Sequence, residues 1–146
     1  MTGAAPPSCL LDTHVVLDWA LFDDPRVRAW TNAIVQRRLR WIYSAGMLAE
    51  ALRVVRYPAL ARRHDPAGSA IRVERCFADW GDCLAAAPTQ SALRCADVDD
   101  QMFVDLAVRH GARWLLTRDR ALLRLARPAA VRGLRIVVPE SADPAH

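Results

Sequence analysis

The sequence predicts an α/β fold in which a parallel sheet is covered by helices on both faces. Short apolar runs, rich in branched and aromatic residues, alternate along the chain with longer stretches that carry apolar residues at helical spacing. Several runs end in an acidic residue or a helix-start signal, which is typical of a strand that leads into a crossover helix. Alternating strands and helices favour parallel pairing, because each crossover returns the chain to the same edge of the sheet.

Four apolar runs are predicted as strands, and a run of three alanines before Pro88 is a further candidate. The four strands are residues 9–12, 41–43, 114–117 and 134–138, and the candidate is 85–87. Residues 14–21 are also largely apolar and extend the pattern of the first strand.

Five stretches are predicted as helices, from apolar residues that recur every three or four positions and from helix signals at their ends. They are residues 26–40, 45–56, 69–84, 98–110 and 120–126. Pro25 lies in a first-turn position, whereas Pro58 and Gly111 are predicted to end the second and fourth helices. The polar stretch 60–68 is predicted to be a connection.

The 146 residues are predicted to form a single domain with a core at about 9–138 and a short polar C-terminal tail; 53% are hydrophobic and 25% charged. No apolar run approaches the roughly 20 residues that span a bilayer, so no membrane partner is expected. Residues 1–8 contain neither a basic residue nor an apolar segment. They do not resemble a secretory signal, and a cytoplasmic location is expected.

All twenty basic residues are arginine, and the net charge is +4. The absence of lysine excludes Schiff-base chemistry, a P-loop and a receiver-type site, each of which needs that residue. Arginine binds phosphate through paired hydrogen bonds, so the composition suits a polyanionic substrate, although a solvated surface explains any single arginine equally well. The four cysteines lack C-x-x-C spacing, which disfavours a zinc site or a disulfide framework.

Four carboxylates lie on separate segments whose ends a parallel sheet would bring together. They are Asp12, Glu50, Asp100 and Asp119. The carboxyl edge of such a sheet is where α/β folds place their sites. Converging carboxylates repel one another unless a cation lies between them, and ligation by oxygen alone suits Mg²⁺ or Mn²⁺. The sequence therefore predicts a metal-dependent enzyme.

Each of these acids also has a structural explanation. Asp12 and Asp119 are placed to cap the turns that follow them. Glu50 could instead form an ion pair with Arg53 at helical spacing. The joint occurrence of acids at the ends of several elements favours the functional interpretation.

Three acids gather at one predicted helix start, where the helix dipole favours negative charge. Asp100 is the best ligand candidate, because its side of the helix is predicted to face the core, whereas Asp97 or Asp99 is expected to act as a cap. His14 follows Asp12 by two residues and is interpreted as a structural or supporting residue, with a catalytic role left open.

Four segments together resemble the PIN-domain family. They are residues 10–17, 47–52, 97–107 and 115–119. An acid, a glutamate, a second acid and a T-x-D sequence follow one another in the family's order, and the resemblance extends over about residues 9–138. It implies a Mg²⁺- or Mn²⁺-dependent ribonuclease on a three-layer α/β/α sandwich with a central parallel sheet. Many small bacterial members resemble the toxins of VapC-type toxin–antitoxin pairs.

By position, the resemblance implies one set of catalytic residues that also bind the metal. They are Asp12, Glu50, Asp100 and Asp119. Thr117 matches the hydroxyl residue beside the last acid, and Asp97 and Asp99 could assist. His14 stands where members usually carry asparagine or serine, and residues 56–83 match no motif.

The expected mechanism is attack on an RNA phosphodiester by a water that the cation activates, with arginines steering the backbone. An antitoxin and a second copy of the chain are candidate partners; Trp30, Leu39 and Trp80 could form an interface or belong to the core. The alternative is a PIN-like module that binds RNA or protein without turnover. A haloacid-dehalogenase-type phosphohydrolase is disfavoured, because His14 occupies its second aspartate position and lysine is absent.

Overall fold

The computed structural model describes residues 4–145 and contains one sheet of five parallel strands. The strands are β1 (Ser8–Leu11), β2 (Arg40–Tyr43), β3 (Gly81–Cys83), β4 (Trp114–Leu116) and β5 (Arg135–Val137). Their order is β3-β2-β1-β4-β5, and every neighbouring pair is parallel. The predicted α/β sandwich with a central parallel sheet is confirmed.

Helices connect the strands and flank the sheet. They are α1 (Thr13–Ala20), α2 (Arg28–Val35), α3 (Ala45–Val54), α4 (Pro58–Ala61), α5 (Pro66–Trp80), α6 (Gln101–Arg109), α7 (Arg120–Leu123) and α8 (Ala126–Val131). Single 3₁₀ turns lie at Pro25–Val27, Val98–Asp100 and Pro139–Ser141. No helix within residues 4–145 is both long and apolar enough to cross a bilayer.

Residues 14–21, which the apolar pattern joined to the first strand, belong almost entirely to α1. The Asp12 carboxylate accepts a hydrogen bond from the Thr13 backbone N–H and so begins the helix directly after β1. Val15, Val16 and Leu17 are apolar because one side of this short helix is buried. The β-branched Val15 and Val16 imitate a strand when only the sequence is considered.

The predicted strand at 85–87 is wrong, and the strand lies at Gly81–Cys83 instead. The predicted helix 69–84 correspondingly ends early, at Trp80. A Cβ atom at position 81 would lie 2.7 Å from the Tyr43 ring, so only glycine lets this edge strand approach β2. The Leu84 N–H then donates to the Tyr43 carbonyl at 2.7 Å and extends the pairing.

Two prolines begin helices in or directly before the stretch 60–68, which was predicted as a connection. The helix predicted to stop before Pro58 does so, as α3 ends at Val54, but Pro58 is also the first residue of α4, and Pro66 is the first residue of α5. Asp65 caps α5 by accepting a hydrogen bond from the Gly68 N–H at 3.0 Å. The predicted helix 120–126 is likewise divided between α7 and α8.

The core is built around three buried tryptophans. Trp30 packs edge-on against Trp114 with ring centroids 4.9 Å apart, and Trp41 lies 4.7 Å from the Phe77 ring. The Trp30 indole N–H donates to the Pro139 carbonyl at 2.8 Å. Trp30 and Leu39 are only 1% and 3% exposed, so both belong to the core and neither forms an interface.

The sheet has its topological switch point at β1. The chain passes from β1 to β2 and β3 on one side and then crosses to β4 and β5 on the other. A crevice therefore forms beyond the carboxyl ends of β1 and β4, which is where open α/β sheets bind their ligands.

Candidate active site

All four predicted acids line one cleft at the carboxyl edge of the sheet. Its volume is about 190 Å³, and we call it the carboxylate cleft. Its walls are formed by Asp12, Thr13, His14, Glu50, Val54, Tyr57, Asp100 and Asp119. Two of the acids follow strands of the sheet, one lies on α3, and one is the last residue of the 3₁₀ turn before α6.

Asp12 is held rigidly beyond the end of β1. It is 6% exposed, and one carboxylate oxygen accepts from the Thr13 N–H at 2.6 Å. The other oxygen accepts from the Thr117 hydroxyl, also at 2.6 Å. Asp12 therefore caps α1 and faces the cleft at the same time, so the structural and functional interpretations are compatible.

Thr117 joins the ends of β1 and β4. Its fully buried hydroxyl donates to Asp12 and accepts a hydrogen bond from the Asp119 N–H at 2.9 Å. Asp119 in turn caps α7, because its Oδ1 accepts from the Ala121 N–H at 2.7 Å. The T-x-D sequence thus fixes the distance between two acids on adjacent strands.

Glu50 is held by Thr13 rather than by Arg53. The Thr13 hydroxyl donates to Glu50 Oε2, which ties the middle of α3 to the start of α1. Among residues 4–145, no ion pair joins Glu50 to Arg53. The half-buried glutamate lines the carboxylate cleft.

Asp97, Asp100 and Asp119 each place one carboxylate oxygen within 4.8 Å of the other two. Asp97 also caps the 3₁₀ turn, accepting from the Asp99 N–H at 3.0 Å. The Asp99 side chain belongs neither to this group nor to the lining of the carboxylate cleft. Asp97 therefore lies close enough to Asp100 for both to bind the same cation, whereas Asp99 does not.

Asp100 is the acid of the site whose charge is least well stabilised. It is 7% exposed, and its Oδ2 is buried without a hydrogen-bond partner in the part of the chain that the structure describes. Burial, followed by the nearby charges of Asp119 and Asp12, raises the pKa of the Asp100 carboxyl to about 8. Burial also raises the pKa of Asp12, although hydrogen bonds from Thr117 and Thr13 oppose that shift.

The donor set fits a hard divalent cation. Every candidate ligand is a carboxylate oxygen, and one buried oxygen, Asp100 Oδ2, has no hydrogen-bond partner among the described residues. Oxygen-only ligation suits Mg²⁺ or Mn²⁺, and a bound cation would allow these acids to be ionised together at neutral pH.

A second cleft of about 400 Å³ adjoins the first, and we call it the arginine cleft. It is lined by Asp12, His14, Asp18, Arg26, Arg118 and Asp119. Arg118 pairs with Asp18 and, at 3.0 Å, with Glu140. Because both partners are anionic, Arg118 acts first as a structural link between α1 and the segment after β5.

Arg26 is compensated in the same way. It binds Asp24 at 2.8 Å and Glu140 at 3.4 Å. Hydrogen bonds from the Arg26 guanidinium and from the Arg26 backbone N–H lower the pKa of Asp24 to about 2. Neither Arg26 nor Arg118 is therefore a free cation for steering a polyanion.

Three residues at the site were not found from the sequence. Thr13 directly follows Asp12 at a helix start, a position where a hydroxyl usually signals only local capping. Arg118 stands inside the T-x-D sequence, and Asp18 lies one helical turn after His14 on α1. Each one's partner comes from a distant segment, which the sequence pattern does not reveal.

Known proteins support the assignment of the fold. The crystal structure of VapBC2 from Rickettsia felis, bound to a DNA fragment from its promoter, matches with a TM-score of 0.60 and 12% identity, over 90% of this chain and 98% of that one. The crystal structure of PAE2754 from Pyrobaculum aerophilum matches with a TM-score of 0.60 and 21% identity, over 90% and 92% of the two chains. A comparison with curated proteins found no match.

A family model for the PIN domain matches residues 8–121. This range begins with β1, includes all four carboxylates of the carboxylate cleft, and ends within α7. PIN domains are generally nucleases, which agrees with the class of activity expected from the converging acids. The family match covers most of the chain, and the protein belongs to the PIN domain family.

Proposed function

We propose that the protein is a Mg²⁺- or Mn²⁺-dependent ribonuclease. The catalytic residues in this proposal are Asp12, Glu50, Asp100 and Asp119. The observation that carries it is the meeting of these carboxylates in one cleft, with a buried Asp100 oxygen that has no partner among residues 4–145. Such an arrangement is unfavourable for a protein that binds no cation, because buried like charges raise each other's pKa.

Asp97, Asp100 and Asp119 have carboxylate oxygens close enough to hold one cation, and Asp12, which lines the same cleft, would complete its ligands. When bound, the cation would lower the pKa of a water so that it can attack the phosphorus in line as the P–O bond to the leaving oxygen breaks, and would offset the charge that develops on the phosphate. Thr117 orients Asp12 and Asp119 through its two hydrogen bonds. Supporting contacts of this kind fix the direction in which ligand oxygens point.

Glu50 would act from the opposite wall of the carboxylate cleft. Thr13 holds one of its oxygens, so the other is directed by that contact and is available to a cation or to the attacking water. Its partial exposure allows it to exchange a proton with solvent. His14 is exposed at the rim, where it can meet the substrate without being a ligand.

The first test is cleavage of total RNA by the purified protein with Mg²⁺, Mn²⁺ or EDTA. The matched variants are Asp12→Asn and Glu74→Gln, since Glu74 is an exposed acid on α5 away from the cleft. Metal-dependent cutting that is lost in Asp12→Asn and kept in Glu74→Gln supports the proposal. Cutting at the wild-type rate by Asp12→Asn would refute it.

A folded protein that cuts no RNA can be examined by thermal melting. Ligands that bind only the folded state raise the melting temperature, so Mn²⁺ should stabilise the wild type and not Asp12→Asn. No Mn²⁺ shift and no cleavage together would favour the alternative, a PIN-like module that binds RNA or protein without turnover.

We further propose that the protein is the toxin of a toxin–antitoxin pair, with an antitoxin as its partner. The similar fold of VapBC2, and the membership of the PIN domain family, support this role. Expression of the wild type should arrest growth, and co-expression of a small upstream open reading frame should restore it. Arrest by Asp12→Asn at the wild-type level would contradict a nuclease-based toxin.

A further inference from the structure

We propose that a groove beside the carboxylate cleft binds an unpaired base of a single-stranded nucleic acid. We call the groove, together with residues 53–64, some of which line it, the base platform. This inference rests on the proposed function and deepens it, because it names the part of the molecule that would hold the strand next to the cleaved bond.

The groove has a volume of about 400 Å³ and an apolar floor. Leu17, Ala59 and Leu60 form much of its lining, so α1 and α4 contribute opposite sides. This volume falls in the range of ordinary small-ligand sites.

Two rings stand at the groove. Phe22 and His64 have ring centroids 5.4 Å apart and planes inclined by 58°, and both line the groove. Phe22 is 43% exposed, so part of its ring is open to a ligand. An exposed aromatic ring at the wall of an apolar groove offers a stacking surface for a base, whatever the sequence of the strand.

The adjoining residues carry uncompensated positive charge. Arg53, Arg56, Arg62 and Arg63 lie in a stretch, residues 51–64, that contains no acid. All four arginines are exposed, and none forms an ion pair within residues 4–145. They differ in this respect from Arg26 and Arg118, and they suit the phosphates of a strand that passes over the surface.

The groove lies beside the carboxylate cleft and shares one lining residue with it. His14 lines both, and Tyr57, which is 51% exposed, lines the cleft directly before α4 begins. A strand whose phosphate lies at the carboxylates can therefore place a neighbouring base in the groove without leaving the surface. This shared wall and the free arginines favour a nucleotide strand over an apolar peptide as the occupant.

The test compares two probes of equal length, an oligouridylate of ten nucleotides and an oligomer of ten abasic ribose-phosphate units. Binding is measured by fluorescence anisotropy in EDTA, where the strand stays intact. The wild type should prefer the strand with bases about ten-fold or more, as expected for stacking of at least one base. Phe22→Leu keeps the apolar volume but should lose this preference, whereas Phe22→Tyr should keep it.

Two controls separate stacking from charge. Val131→Ala, at a residue 88% exposed on α8, should leave the preference unchanged. Arg63→Gln should weaken binding of both probes alike and lower the salt slope by about one, whereas Arg132→Gln, another exposed arginine, should not.

Equal affinity of the wild type for both probes, or an unchanged preference in Phe22→Leu, would overturn the base platform. Metal-dependent RNA cleavage with no base preference would leave the proposed ribonuclease standing while the platform fails. A base preference without cleavage would support the base platform and count against the proposed ribonuclease. Groove variants that weaken only the binding of a co-expressed protein would assign the groove to that protein and overturn the proposal.

Discussion

The carboxylate cleft has two halves that differ in how their acids are held. On the sheet side, Asp12 and Asp119 follow adjacent strands and are fixed by backbone N–H groups and by Thr117. On the helix side, Asp100 is buried with one oxygen unpartnered within residues 4–145. The sheet half is therefore ordered by the fold itself, whereas the helix half is satisfied only when a cation or a proton is present.

The largest effect is expected from Asp119→Asn, on the sheet side. Asparagine keeps the oxygen that accepts from the Ala121 N–H, so the cap survives while the charge of a proposed metal ligand is lost. Cleavage should fall by more than about 100-fold, since even the residues that support metal ligands are worth about 10- to 100-fold. The melting temperature in EDTA should stay within a few degrees, and a large drop would show that Asp119 is chiefly structural.

Thr117→Val should have the next largest effect. It removes the hydroxyl that links Asp12 to the Asp119 N–H at a fully buried position, so two polar groups lose their partner. We expect a loss of about 1–3 kcal/mol in the free energy of unfolding and of about 10- to 100-fold in kcat/KM. Thr117→Ser should restore both; failure of serine to do so would mean that the methyl group matters more than the hydrogen bonds.

The strand-end half of the site can be predicted from the sequence, because its signal is local. Runs of buried apolar residues end directly before Asp12 and Thr117, and parallel pairing places such ends side by side. The helix half is less visible. Nothing in the sequence around Asp100 shows that its Oδ2 is without a partner, since that depends on how α6 packs against β1 and β4.

The errors in the predicted elements have similar physical origins. Gly81–Cys83 is a short polar edge strand whose pairing comes from Tyr43, about forty residues earlier, rather than from its own propensity. In α1, Val15 and Val16 favour a strand, but the hydrogen bond from the Thr13 N–H to the Asp12 carboxylate begins a helix there. A long-range contact decides the first case and a side-chain cap on the neighbouring residue decides the second, and the apolar pattern alone records neither.

Asp100→Asn tests the helix half through stability. The pKa of the Asp100 carboxyl is raised to about 8 in the folded protein, so the folded protein binds this proton more tightly than the unfolded chain does. The stabilisation that this proton gives the folded state is complete below the pKa of Asp100 in the unfolded chain. It is lost as pH rises from about 4 to 8. In EDTA the wild type should therefore lose stability over this range through Asp100, and the variant should lose less.

At pH 8 in EDTA, the Asp100→Asn variant should be more stable than the wild type by about 1 kcal/mol or more, since it removes a buried carboxylate without a partner. For a chain of this length that is a rise in melting temperature of roughly 2–4 °C. Glu74→Gln, at an exposed site, should behave as the wild type. The same pH dependence of stability in Asp100→Asn and the wild type would contradict the claim that the ionised Asp100 carboxyl destabilises the folded protein.

Thr13→Val should have the smallest effect, because it acts on an acid that solvent already reaches. The variant removes the hydroxyl that holds Glu50 and leaves the Asp12–Thr13 backbone contact unchanged. Since Glu50 is only half-buried, water can replace the lost hydrogen bond, and a decrease of less than about ten-fold in kcat/KM is expected. Thr13→Ser should retain the wild-type rate. If Thr13→Val were as damaging as Asp119→Asn, the orientation of Glu50 would limit catalysis as strongly as a sheet-side ligand, and the division of the cleft into two unequal halves would be wrong.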